Sequence, residues 1–251
     1  GGVIDVPIYT TLACDSVEYI LRDSAAKAIF LQDKATYERI ADAIKANPTL
    51  ETIIFFDEVE VANSISLGEL ELRGENLRND EPDLIDQLID ATTPGDIATL
   101  IYTSGTTGEP KGVMLSHANI VSNVVDAAEK YSFEGHDIAL SVLPLSHIFE
   151  RTGMYVYLMY GMSVYYAESI EKVPDNLKDV RPTIFIGVPR IFEKVYEKAR
   201  IAAAKSNPIR ERIFDWAIEV AKEYASTIER GEEISMALYA KHNLADKIVY
   251  Q

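Results

Sequence analysis

Two uninterrupted apolar runs, Ala28-Ile29-Phe30-Leu31 and Ile53-Ile54-Phe55-Phe56, bracket a stretch at 36–46 whose apolar residues recur at helical spacing until Asn47-Pro48 stops it. β-branched and aromatic runs with no polar alternation read as strands buried on both sides, and such strands belong to parallel sheets. A parallel pair needs a crossover, and the intervening helix supplies it. The alternation recurs. Residues 3–9 read as a strand, 16–22 as a short helix, and 57–83 as an acidic, polar link with a helix near 67–72. A second sheet is expected to take the run 97–103 and strands near 138–142, 162–166 and 183–188. Residues 190–230 are strongly helical, with Ile209, Ile213, Trp216, Val220, Tyr224 and Ile228 spaced to bury one face. The fold class that follows is α/β, with largely parallel sheets covered by helices. The pattern divides the chain into a βαβαβ lobe over 1–90, a second sheet over 91–200 and a helical segment over 201–251.

The apolar run ending at Ile101 feeds directly into Tyr102-Thr103-Ser104-Gly105-Thr106-Thr107-Gly108-Glu109-Pro110-Lys111-Gly112. Hydroxyls, glycines and one lysine at this density offer unhindered backbone N–H groups, side-chain donors and a mobile cation, the groups that wrap a polyphosphate. The generic P-loop template fits in part. Lys111 falls at its lysine position counted from Gly105, but Pro110 replaces the second glycine and Gly112 the Ser/Thr. Pro110 has no N–H to give, so the tight anion nest of that loop cannot close. Val113-Met114-Leu115 reads as extended, and Ser116 as the N-cap of a helix carrying Ile120, Val121, Val124, Val125 and Ala128. Phosphates would therefore be held by a hydroxyl-rich flap between two extended segments, not by a helix dipole.

With Ser116-His117-Ala118-Asn119-Ile120 behind it, this stretch resembles the phosphate-loop signature of the adenylate-forming enzymes: acyl-CoA synthetases, luciferases and peptide-synthetase adenylation domains. Leu143-Pro144-Leu145-Ser146-His147-Ile148-Phe149-Glu150-Arg151 is similar to that superfamily's next motif as the long-chain fatty acid–CoA ligase branch uses it. Pro182-Thr183-Ile184-Phe185-Ile186-Gly187-Val188-Pro189-Arg190-Ile191-Phe192-Glu193-Lys194 is similar to the same branch. The resemblance implies part of the large N-terminal domain of a considerably longer enzyme. The adenine-, ribose- and hinge-bearing motifs and the mobile C-terminal domain are not found in the sequence. It implies ATP-dependent conversion of a fatty acid to an acyl-adenylate, then transfer to CoA, with Mg2+ beside the phosphates. Thr103, Ser104, Gly105, Thr106, Thr107, Gly108 and Lys111 would bind the nucleotide, with Lys111 also offsetting charge on departing pyrophosphate. His147 would orient the fatty carboxylate, which is already ionised at neutral pH and needs no base. The 251 residues alone are not expected to form acyl-adenylate. A ligase for another carboxylic acid and a non-catalytic nucleotide-binding piece remain alternatives.

Composition limits the partners. Forty Asp and Glu against 24 Lys and Arg give a net charge of −16, which argues against nucleic acid and against an anionic membrane surface. The single cysteine, Cys14, allows no internal disulfide and suits the cytoplasm. The most apolar run, 154–166, is too short to span a bilayer. Peripheral membrane contact and a homodimer stay open. No carboxylate can be assigned to Mg2+, and His117, His136, His147 and His242 lack zinc-ligand spacing with Cys14 or one another. Glu150, Arg151 and Arg190 read equally well as structural charges or as site residues. The acyl chain needs an apolar channel, for which 154–166 and 184–188 supply the side chains.

Overall fold

The chain's first helix, α1 (Cys14–Asp23), buries Val17, Ile20 and Leu21, a one-sided stripe that seats it on a sheet. Strand β1 (Ala28–Leu31) alternates exposed and buried residues, and α2 (Lys34–Lys45) crosses over to β2 (Thr52–Phe55). The Asp33 carboxylate caps α2 by accepting from the Thr36 N–H at 2.7 Å. At the other end the buried Asn47 amide donates to the Ala43 carbonyl, closing the helix ahead of Pro48. A short strand, β3 (Ser64–Ser66), completes a parallel sheet of order β1-β2-β3. Helices α3 (Leu67–Asp80) and α4 (Leu84–Ala91) bury no residue fully and carry the chain onward. The computed structural model describes residues 2–103 and 109–250.

Strand β4 (Ile97–Thr103) pairs antiparallel with β5 (Lys111–Ser116) as a two-stranded sheet of its own. The expected strand over 3–9 is reduced to one bridge, where Asp5 pairs parallel with Thr99 of β4. Pro7 supplies no N–H to extend that ladder. Helix α5 (His117–Lys130) starts at a capping box in which the Ser116 hydroxyl accepts from the Asn119 N–H and the Asn119 side chain bonds back. Strand β6 (Ile138–Ser141) is followed by α6 (Ile148–Tyr160), β7 (Ser163–Tyr166), α7 (Val173–Val180) and the two-residue β8 (Ile184–Phe185). These strands form a parallel sheet of order β7-β6-β8 with β6 in the centre. The run 97–103 therefore does not share a sheet with 138–141, 163–166 and 184–185, against expectation. Its neighbour in sequence, β5, lies within hairpin reach and takes its pairing edge.

The helical stretch divides at Asn207, whose extended backbone (φ −169°, ψ 162°) precedes Pro208. Helix α8 (Pro189–Ser206) ends there and α9 (Pro208–Glu229) begins, capped by the Asn207 side chain on the Arg210 N–H; α10 (Met236–Ala245) and one π-helical turn follow. The buried line on α9 is Ala217, Val220 and Thr227, while Ile209 and Ile228 are exposed. Val220 is common to the expected and observed faces, Trp216 and Tyr224 are half-buried, and the isoleucines Ile209, Ile213 and Ile228 stay exposed.

Candidate functional site

Thr103 ends β4 and Lys111 opens β5, and the two are cross-strand partners. Both ends of the glycine-and-hydroxyl loop therefore leave the sheet at one place. Directly opposed residues of an antiparallel pair hold their Cβ atoms about 5 Å apart, so the Lys111 ammonium and the Thr103 hydroxyl can reach a common anion. Both side chains are exposed. Ser104, Gly105, Thr106, Thr107 and Gly108 lie outside the described residues.

The next pair down anchors this hairpin. Tyr102 lies across Gly112, and a Cβ at Gly112 would come within 3.0 Å of the Tyr102 ring, so glycine is what allows the overlay. The Tyr102 hydroxyl donates to the Asp23 carboxylate at 2.6 Å, and its ring meets Tyr19 edge-on at 6.4 Å. Burial first, then the bond to Asp23, pushes the phenol above its ordinary range and keeps it a donor. The root of the loop is thereby tied to the end of α1.

His147 is the N-cap of α6, where its Nδ1 accepts from the Phe149 N–H at 3.2 Å. A neutral ring that accepts at Nδ1 carries its proton on Nε2 and presents a donor outward. Among the described residues no hydrogen bond or ion pair joins His147 to Thr103 or Lys111. The two next charges go separate ways. Arg151, largely buried, donates Nη1 to the Thr99 hydroxyl at 3.1 Å and Nη2 to the Asp5 carboxylate, while the Thr99 hydroxyl donates on to the Asp5 carbonyl at 3.0 Å. This relay fastens the first turn of α6 onto β4, the strand that feeds the loop. Glu150 points into the core, where the Ser141 hydroxyl at the end of β6 donates to it at 2.5 Å. Burial pushes its carboxyl above the usual carboxylate range, opposed in part by the Ser141 bond. Arg190 is exposed on the first turn of α8.

Between α5, α6 and the β8–α8 connection lies a cavity of about 940 Å³. Its walls are mainly apolar, with Ile120, Phe149, Val156, Ile184, Phe185 and Phe192 among them, and Asn119, Ser122, Asn123 and Thr152 among the polar exceptions. Of the stretches expected to form a channel, 184–187 lines it and 154–166 contributes Val156 and Tyr157; Met154 instead borders a second, smaller cavity beside residues 7–11. Sequence reading missed the contribution of α5, and it missed Asp5 and Ser141. The helical spacing of Ile120 and Val124 was legible, but the face beside it gives no sign that it borders empty space. Among the described residues no group of three or more His, Cys, Asp or Glu is arranged to hold a metal ion. No helix of the described residues is long and apolar enough to cross a membrane.

Comparison with known proteins agrees with this geometry. A family model described as AMP-binding enzyme matches residues 1–231. A long-chain-fatty-acid–CoA ligase of Xenopus laevis is 33% identical, with 100% of this chain and 35% of the relative covered. The peroxisomal long chain acyl-CoA synthetase 6 of Arabidopsis thaliana is 31% identical over 88% of this chain and 32% of its own length. The chain thus spans about a third of the length of these curated relatives. Among solved structures, the N-terminal domain of FACL13 from Mycobacterium tuberculosis superimposes with a TM-score of 0.59 at 27% identity, covering 77% of this chain and 46% of that one.

Proposed function

The chain belongs to the AMP-binding enzyme family, and on that premise we propose that, in an enzyme of its relatives' full length, it activates a long-chain fatty acid with ATP and passes the acyl group to CoA. The observation that carries the reading is the β4–β5 hairpin, which sets Lys111 opposite Thr103 at the mouth of the glycine-and-hydroxyl loop. In the first half-reaction the fatty carboxylate attacks the α-phosphorus and pyrophosphate leaves; in the second the CoA thiol displaces AMP. Carboxylate and triphosphate are both anions, so their approach has to be offset by cations and donors. Lys111 and the Thr103 hydroxyl, with the loop residues Ser104, Gly105, Thr106, Thr107 and Gly108, take the β- and γ-phosphates, and Lys111 balances charge on the leaving pyrophosphate. His147 directs its Nε2–H at a carboxylate oxygen, a role that the cap bond at Nδ1 supports by fixing the tautomer. The apolar cavity is of a size and character suited to an acyl chain. Two relatives carry long-chain acyl ligase names, which supports that substrate class over an aryl or amino acid.

Magnesium would travel with the triphosphate and neutralise it. The described residues assemble no carboxylate cluster for it, so no step is assigned to protein ligands of the metal. In the same reading, residues 1–90 form one lobe, without the first strand of the expected βαβαβ unit, 91–200 hold the phosphate loop and acyl site, and 201–251 form a helical segment. The test is Lys111→Ala in the full-length enzyme, read by fatty-acid-dependent ATP–pyrophosphate exchange. Loss of one preorganised donor to a developing charge costs about 10²–10³ in rate. Exchange at the parent rate would remove Lys111, and with it the phosphate-loop assignment, from the reaction.

A further inference from the structure

The corner between α8 and α9 carries a charge opposite to that of the chain. Between Glu197 and Asp215 stand five basic residues, Lys198, Arg200, Lys205, Arg210 and Arg212, against the single acid Glu211, in a sequence whose net charge is −16. Tyr196 and Phe214 close the two helices together, with ring centroids 5.9 Å apart. Beyond that contact every residue over 197–213 except Ala203 and Glu211 is exposed, so the corner projects from the body as a tip. Extended Asn207 and Pro208 form its apex. Ile201, Ile209 and Ile213 lie among its charges and are exposed, Ile209 to 70%. Elsewhere Arg22, Lys27, Lys34, Lys45 and Arg73 each pair with a carboxylate. At the tip Lys198 donates to the Glu171 carbonyl and Arg210 to the Ser206 hydroxyl. Among the described residues none of Arg200, Lys205, Arg210 and Arg212 forms an ion pair, in a chain with 40 acidic residues.

Isoleucines interleaved with unpaired cations on a projecting tip fit one kind of partner. A bilayer interface offers headgroups to the cations and an acyl boundary to the apolar side chains. Nucleic acid matches the charges, but its phosphate backbone offers nothing to Ile209. We propose that the α8–α9 tip docks on a membrane surface that carries anionic phospholipid. Lys205, Arg210 and Arg212 take the headgroups, while Ile201 and Ile209 enter the boundary beneath them. The acidic body does not forbid this contact. Asn207 lies about 15 Å along α8 from Glu197 and about 10 Å along α9 from Asp215. Exposed charges separated by more than about 8 Å are largely screened in physiological salt, so the apex acts with its own sign. The contact is independent of what the cavity holds and of the ligase reading.

The experiment is flotation of the full-length enzyme with vesicles of phosphatidylcholine alone and of an equal mixture of phosphatidylcholine and phosphatidylserine. Binding is expected on the mixture only, weakening as salt rises. Each basic residue near an anionic surface adds about fivefold to partitioning, so Lys205→Gln, Arg210→Gln and Arg212→Gln together should lower it about a hundredfold. Ile209→Gln should lower it about tenfold by removing apolar burial. A charge-matched variant, Lys27→Gln with Lys34→Gln and Lys45→Gln, loses only exposed ion pairs and should bind like the parent. Fatty-acid-dependent ATP–pyrophosphate exchange by the tip variant should stay at the parent rate, so the docking surface and the ligase reading fail separately. Equal losses in the two triple variants would trace binding to net charge and overturn the proposal. So would an absence of vesicle binding, binding indifferent to phosphatidylserine, or a tip that captures a duplex oligonucleotide in place of vesicles. Tip variants that change the oligomeric state and leave vesicle binding intact would overturn it as well.

Discussion

The β1-β2-β3 region and the β4–β8 region solve different problems with the same kinds of element. In the first, Val17, Leu21, Ile29, Leu31, Ile40, Ile44, Ile53 and Phe55 converge in one apolar core under α1 and α2. Asn47, a buried polar side chain there, is bonded to the Ala43 carbonyl. In the second, the apolar residues divide into two smaller clusters, one around Ile120, Val124 and Val156 and one around Ala139, Tyr157 and Met162. A large cavity borders both, and Thr99, Ser141 and Glu150 are buried polar residues of the same region. A continuous core maximises the apolar area removed from water. Under the proposed function the second region would admit an acyl chain and hold an anion, which accounts for its smaller apolar area and the polar groups kept in its place.

That contrast predicts where substitutions hurt stability. Phe55→Ala, at a position with no solvent exposure, should cost about 3–5 kcal/mol in denaturant unfolding of the whole chain. Val156→Ala, next to existing empty space, should cost about half as much or less, because its surroundings are already incompletely packed. Equal losses at the two sites would erase the distinction between the regions.

The Asp5–Arg151–Thr99 relay is the next largest expected effect. Arg151→Ala removes charge-assisted hydrogen bonds and should cost about 2 kcal/mol. A double-mutant cycle with Asp5→Ala should return a coupling of about 1 kcal/mol, discounted for the partial exposure of Asp5. Additive losses would mean that the N-terminal segment and α6 are held independently of each other.

The smallest effect is a pH slope. Burial raises the Glu150 carboxyl in the folded chain, while in the unfolded chain it titrates in the ordinary range. Between those two points the folded state holds a proton that the unfolded state has released, so unfolding becomes easier as pH rises. Glu150→Gln keeps the shape and an oxygen for Ser141 but cannot titrate. The melting temperature of the variant relative to the parent should therefore climb as pH rises above the ordinary carboxylate range. A flat difference, or one that falls, would contradict a proton held on Glu150.

Legibility differed between the regions for physical reasons. Helix α2 and strands β1 and β2 were readable because local periodicity and a large apolar core demand the same thing. The hairpin was readable in part: Lys111, Gly112 and the Ser116 cap mark its edges, and an extended segment after the loop follows from Val113-Met114-Leu115. Its separation from the β6 sheet was not readable. Which edge a strand pairs with depends on competition between partners, and β5 wins by proximity. Helix α6 was hidden because its apolar residues run on into β7 without a polar break, leaving only the His147 cap and Gly161 to mark its ends.

Sequence alone determined that the chain is α/β, that it carries a glycine- and hydroxyl-rich stretch ending at Lys111, and which motifs flank it, because local spacing and residue chemistry are properties of the string. Only the tertiary structure decided that Arg151 reaches across 146 residues to Asp5. It also decided that Glu150 and Tyr157 face inward, and that α5 helps to wall a cavity. Burial and hydrogen-bond satisfaction are set by what other parts of the chain bring to a place, and no short stretch of sequence contains that information.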